Sequence, residues 1–188
     1  MSDRAQLSRY LPEPAWYRHG VDPHGIHGVA HAARVLYWAD ALARQIAAPG
    51  ALHGEELRWA AALHDVGRAN EGIDPGHGER SAEWVLANLA RERPETAALD
   101  LDFIAELCRW HESHGQDVPR MTLELLILKD ADALDRARIG DLDPGRLRLT
   151  RALPLVDAAR ALERATNRYG SMTGDEVLSA AHRMFRAA

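Results

Sequence analysis

Between Ile26 and Ala48 the apolar residues Val29, Ala32, Ala33, Leu36, Ala39, Leu42, Ala43 and Ile46 recur three and four positions apart, the spacing of one helix face. Pro49-Gly50 ends that helix. A second is predicted from Glu55, where Glu55 and Glu56 suit the positive end of a helix dipole, through Leu57, Ala60, Ala61 and Leu63. Gly67 to Gly78 carries loop signals, with Gly72, Pro75 and Gly76. Helical periodicity returns over Glu79–Arg91 and stops before Pro94. Leu99–His111, Met121–Ala137, Pro154–Tyr169 and Gly174–Phe185 complete a set of about seven helices. The apolar run Leu123–Leu128 fits a buried strand as well as a buried helix, and its Leu and Glu content favours helix. No alternating Val/Ile/Thr segments between turns suggest a sheet, so the expected fold class is all-α.

At 188 residues, 46% of them hydrophobic, the chain suits one substantial core, and a single domain over residues 1–188 is expected. A net charge of −5 gives no overall basic field to attract nucleic acid, although it leaves room for a local basic groove. Cys108 is the single cysteine, which excludes an intramolecular disulfide and means that a metal site must be built from His, Asp and Glu. The stretch Met1–Pro12 lacks a signal-peptide apolar core and no later run reaches membrane-span length, so a cytoplasmic location is expected. Trp38, Trp59, Trp84 and Trp110 fall at periodic helical positions and read as core residues. Oligomeric state is not legible.

The chemistry concentrates in ten histidines and the aspartates beside them. His27 and His31 lie four apart and share a face if the first helix already includes Ile26, as a metal-binding pair or as a polar stripe. His64-Asp65 follows Trp59-Ala60-Ala61-Ala62-Leu63, which sets an imidazole and a carboxylate at the edge of the core. A charge there needs a cation or hydrogen bonds to compensate it. A divalent metal would serve both side chains at once. Asp130, Asp132 and Asp135, directly after Leu125–Leu128, raise the same need.

His31 in His31-Ala32-Ala33-Arg34-Val35, then Leu63-His64-Asp65-Val66-Gly67-Arg68, then Ala131-Asp132-Ala133-Leu134 occur in the order and setting of the HD-domain superfamily of metal-dependent phosphohydrolases, which the chain resembles over Ile26–Gly140. The resemblance implies a helical bundle with a central metal site. It divides the chain into a metal-binding core at residues 26–140 and a C-terminal helical extension at 141–188. It makes His31, His64, Asp65 and Asp132 the ligands of Mn, Fe, Co, Ni, Mg or Zn. The Ala-Asp-x-Leu context favours Asp132 over Asp130, which becomes a neighbour of the ligands or a solvated carboxylate. His77 and His111 stand where two-metal subfamilies have further ligands, so one or two ions per chain are expected. A one-metal reading instead makes His77 a helix-start residue and His111 a group that touches substrate phosphate.

The implied activity is hydrolysis, by metal-activated water, of a nucleotide or other small phosphoester. Arg68 and Lys129 are candidates for stabilising phosphoryl charge, and His111 or His114 for protonating the leaving oxygen. His27 is a candidate proton shuttle. Arg34, three residues after His31, reads as an ion-pair partner. Residues Val118–Arg120 depart from the Gly-Tyr-Pro signature of the cyclic-dinucleotide branch, so that substrate class is not supported. Two rival functions fit the same residues: an HD-fold two-iron oxygenase, and a nucleotide-binding regulator without turnover.

Overall fold

A computed structural model describes residues 4–19, 21–48, 50–113, 117–167 and 171–185. Among them it is helical throughout, with no strand. The α-helices are α1 (Arg4–Ser8), α2 (Val29–Ile46), α3 (Gly54–Leu63), α4 (His77–Glu92), α5 (Leu101–Trp110), α6 (Leu123–Asp135), α7 (Val156–Thr166) and α8 (Gly174–Phe185). Short 3-10 turns occur between them, including Arg136–Ile139, Pro144–Arg146 and Thr150–Leu155.

The central element is α2. Its first turns are buried on every side, from Val29 through Leu36 to Trp38 and Ala39, because α3, α6 and α8 all pack against it. Ala32, Ala33 and Ala39 keep its surface small enough for three neighbours to approach. The helices α4 and α5 pair with each other, and α5 in turn packs on α3. Trp38 and Trp59 are buried, while Trp84 and Trp110 lie half-buried against the core. Local sequence fixes several helix starts. The Thr122 side chain accepts a hydrogen bond from the Leu125 amide, and Asp100 does the same for Phe103. Leu123–Leu128 is helical, the first part of α6.

Three features differ from the periodicity. The five-residue α1 is too short to register as a pattern. The first long helix begins at Val29 with Gly28 as its N-cap, so His27 lies in the preceding turn and not on the helix face of His31. The third predicted helix begins two residues early, at His77. Gly76 turns the chain into it with φ of 80°, a left-handed conformation that a glycine adopts without a Cβ clash.

Candidate metal centre

The helices deliver their imidazoles mostly at their ends. His31 is in the first turn of α2, His64 caps the C-terminus of α3, His77 opens α4, and His111 caps the C-terminus of α5. Asp65 follows His64 directly, and Asp132 comes from the last turns of α6. His31 and His64 are fully buried, Asp65 is 5% exposed, and 28% of the Asp132 side chain is open.

Each of these four rings is anchored through Nδ1. His31 meets Asp135 Oδ2 at 2.7 Å, His64 the Ala61 carbonyl at 3.0 Å, His77 the Asp74 carbonyl at 2.7 Å, and His111 the Cys108 carbonyl at 2.6 Å. A carbonyl only accepts, so in the last three rings Nδ1 carries the proton and Nε2 is left as a lone pair. The Nε2 atoms then turn inward: His31 to His64 at 3.1 Å, and His77 to His111 at 3.0 Å. Neutral rings anchored in this way have no proton to place between two facing Nε2 atoms. The contacts are compensated only by a further proton or by a cation between them.

Asp65 joins the two pairs. Its Oδ2 lies 3.4 Å from His31 Nε2 and 3.8 Å from His64 Nε2, and its Oδ1 lies 3.1 Å from His77 Nε2 and 3.7 Å from His111 Nε2. Asp132 Oδ1 completes the first group, 3.5 Å from His31 and 3.9 Å from His64. The sets His31-His64-Asp132, His64-Asp65-His111 and His27-His31-Asp65 each converge closely enough to hold one ion. Burial lowers the His64 pKa to about 3, which keeps it neutral as a ligand must be. Burial pushes the Asp65 carboxyl up, but the surrounding imidazoles, His64 first and then His111, His27 and His31, outweigh it and hold the carboxyl well below its usual range when the cluster carries the further proton that stands in for a cation. Borderline imidazole nitrogen with hard carboxylate oxygen and no thiolate suits the first-row divalent ions, so the residues fit the group.

The other candidates separate. His27 approaches Asp65 Oδ2 at 2.8 Å through Nδ1 and also faces Arg138 at 3.1 Å. Arg68 donates to the carbonyls of Asn70 and Gly72, and its remaining terminal nitrogen sits 3.7 Å from Asp65 Oδ1. Arg34 pairs with Asp135, at 2.5 Å from Nε. Lys129 Nζ donates to three backbone carbonyls, of Trp110, His111 and Ser113, at 2.5, 2.8 and 2.7 Å. Its hydrogens therefore cap the end of α5 and are not directed at a phosphoryl group. Burial and the nearby Arg148 lower its pKa to about 8, still above neutrality. Asp130 is neither solvated nor among the converging donors. It is fully buried and accepts from the amides of Arg148 and Leu149. His114 lies outside the described residues.

Glu112 and Arg138 were not singled out from the sequence, and Asp135 only as a carboxylate in need of a partner. Asp135 orients His31, Glu112 meets His77 Nδ1 at 3.0 Å, and Arg138 donates to the Ile26 carbonyl beside His27. Asp135 had a signal, since it lies three residues after Asp132 on a helix, but the ring it meets is 104 positions away.

His27, Asp65, His77, His111 and Asp132 line a cavity of about 370 Å³. Its lining includes the cations Arg68, Lys129, Arg136, Arg138, Arg146 and Arg148 and the carboxylates Asp65, Glu112 and Asp132.

Fold and site together define an all-helical protein with a buried His/Asp cluster able to hold divalent metal. The sequence model of the HD domain matches residues 28–137, more than half of the chain, and the chain belongs to that family. The match encloses His31, His64, Asp65 and Asp132 as well as His77 and His111. No curated protein and no solved structure gives a match. HD domains as a family are metal-dependent hydrolases. Among the described residues no helix is long and apolar enough to cross a membrane.

Proposed function

We propose that this protein hydrolyses a small phosphoester with two divalent ions side by side, one held by His31, His64, Asp65 and Asp132, the other by Asp65, His77 and His111. The carrying observation is that one carboxylate, Asp65, turns a different oxygen towards each pair of inward-facing imidazoles. Bound there, divalent metal supplies Lewis acidity, lowering the pKa of water and polarising the phosphoryl group. The chain's own residues do the rest.

Arg68 is fixed by two carbonyls and offers its remaining donors beside Asp65, where a phosphoryl oxygen would need them. Lys129 acts at one remove by holding the His111 end of α5 in place. His111, assigned to the second ion, is then not the leaving-group acid. His27 is the described imidazole best placed for proton transfer, with burial lowering its pKa so that it is neutral and can accept a proton. The surplus of cations in the cavity favours an anionic substrate over the neutral organic substrate and oxygen of the two-iron reading.

The test is phosphate release from a panel of nucleoside and sugar phosphates by protein loaded with manganese, cobalt or iron. Asp65→Ala should remove metal-stimulated turnover, by about a thousandfold or more. Undiminished hydrolysis in that variant would sink the proposal, as would oxygen consumption without any phosphate release.

A further inference from the structure

The cavity is unusual in what lines it beyond the metal-binding residues. Among its described lining residues there is no phenylalanine, tyrosine, tryptophan or branched aliphatic side chain, and Ala133 supplies the one methyl group. Its rings are the imidazoles of His27, His77 and His111, which are turned to the His/Asp cluster, so a nucleobase would find no apolar slot to bury against. The cations, in contrast, are differently committed. Arg136 is tied to Asp141, Arg138 to the Ile26 carbonyl, and Arg68 to its own loop. Arg146 has only long ion-pair contacts, 3.5 Å to Asp143 and 3.9 Å to Asp141. The Arg148 guanidinium has one, 3.4 Å to Asp130.

The segment that carries these two arginines is built in. Buried Asp130 receives the Arg148 amide at 2.9 Å and the Leu149 amide at 2.7 Å, so the strap is pinned to α6 two residues before Asp132. Asp130 thereby holds this cationic strap in register with Asp132 of the same helix.

We infer that the substrate carries two separated anionic groups on a small polar skeleton, as a bisphosphorylated sugar does, with the scissile phosphoester over the His/Asp cluster and the second phosphate on Arg146 and Arg148. This rests on the phosphohydrolase reading for the scissile end. The second-phosphate subsite stands on the strap alone. Planar guanidinium groups with free N–H edges grip phosphate oxygens in pairs, whereas a sugar hydroxyl or a base would leave both charges unused.

The test is calorimetric binding of non-hydrolysable probes to the metal-loaded full chain: propylphosphonate, propane-1,3-bisphosphonate, and the phosphonate analogue of adenosine monophosphate. The bisphosphonate should bind at least about tenfold more tightly than propylphosphonate, with the advantage shrinking as salt rises. In the Arg146→Ala/Arg148→Ala protein the advantage should fall to within about threefold, and in Arg146→Lys/Arg148→Lys it should be partly kept. Arg146 is two-thirds exposed and Arg148 about one-third, and when the Arg148 side chain is shortened buried Asp130 keeps the Arg148 and Leu149 amides as donors; a urea unfolding midpoint for each variant checks that the fold is kept. An adenosine analogue that binds more tightly than the bisphosphonate, or an advantage that survives loss of both arginines, would overturn the inference. Because no probe is hydrolysed, failure of catalysis reads out separately, in the phosphate-release panel.

Discussion

Asp135 illustrates how the site is set at the level of single residues. Its buried carboxylate accepts from Arg34 on one side and faces His31 Nδ1 on the other. It thereby fixes which way the His31 ring presents Nε2. Asp135→Asn should weaken metal affinity by about 10–100-fold, measured by competition with a chelating dye, while Asp132 and His64 remain in place. Unchanged affinity would mean that His31 does not need this partner. The His-Asp pairs were legible from sequence because a carboxylate after an apolar run has to be compensated. The partners that orient the rings were not, since the His31–Asp135 contact joins residues 104 apart and three of the four anchors are backbone carbonyls, which no residue type announces.

At the scale of elements, the site depends on where helices stop. The seven longer helices follow from periodicity, and the boundaries that matter chemically fall at their ends: His64 and His111 as C-caps, His77 as a first residue. Periodicity is blind to such ends: the apolar pattern alone runs the helix of His31 back to Ile26 and starts the next-but-one helix at Glu79, and it is the setting of His77 in the family motif, not the pattern, that makes it a helix-start residue. Two contacts hold the ends together. Gly78 packs so closely on α5 that a Cβ would lie 2.7 Å from the Arg109 carbonyl. Gly78→Ala should push α4 away from α5 and separate His77 from His111. The expected readout is loss of one bound metal, with lower stability. Lys129→Met should leave three carbonyls at the end of α5 without their donor and cost about 1–3 kcal/mol in denaturant unfolding. A cost near zero would show that water replaces the ammonium.

On the scale of the molecule, a chain of net charge −5 concentrates six cations around one cavity. The sequence left room for such a groove, but Arg68 and the 136–148 arginines meet there only through folding. Titration of the buried rings also gives the whole fold a pH dependence. His64 has a folded pKa of about 3, set mainly by burial, against 6.5 for a free imidazole. Between those values the unfolded chain takes up a proton that the folded chain does not, so acidification destabilises it. Burial shifts His27 the same way. Asp135, pushed up by burial but held down more strongly by Arg34 and His31, adds stability that is full above its unfolded pKa of 3.8 and lost as pH falls further. His77 opposes them. Despite burial, Asp65 raises its pKa, so its contribution is present below pH 6.5 and lost as pH rises through the folded value. With two imidazoles against one, the chelated protein should show a falling urea midpoint from pH 6.5 towards 4, and a constant or rising midpoint would contradict this balance.

The central claim is that one carboxylate, Asp65, is shared by two adjacent metal positions. Titration of the chelated chain with manganese, followed by equilibrium dialysis and metal analysis, tests it most directly. Two ions per chain are predicted for the natural sequence, one for His77→Ala, and none held tightly by Asp65→Ala. A single ion in both the natural chain and His77→Ala, or two ions retained without Asp65, would contradict it.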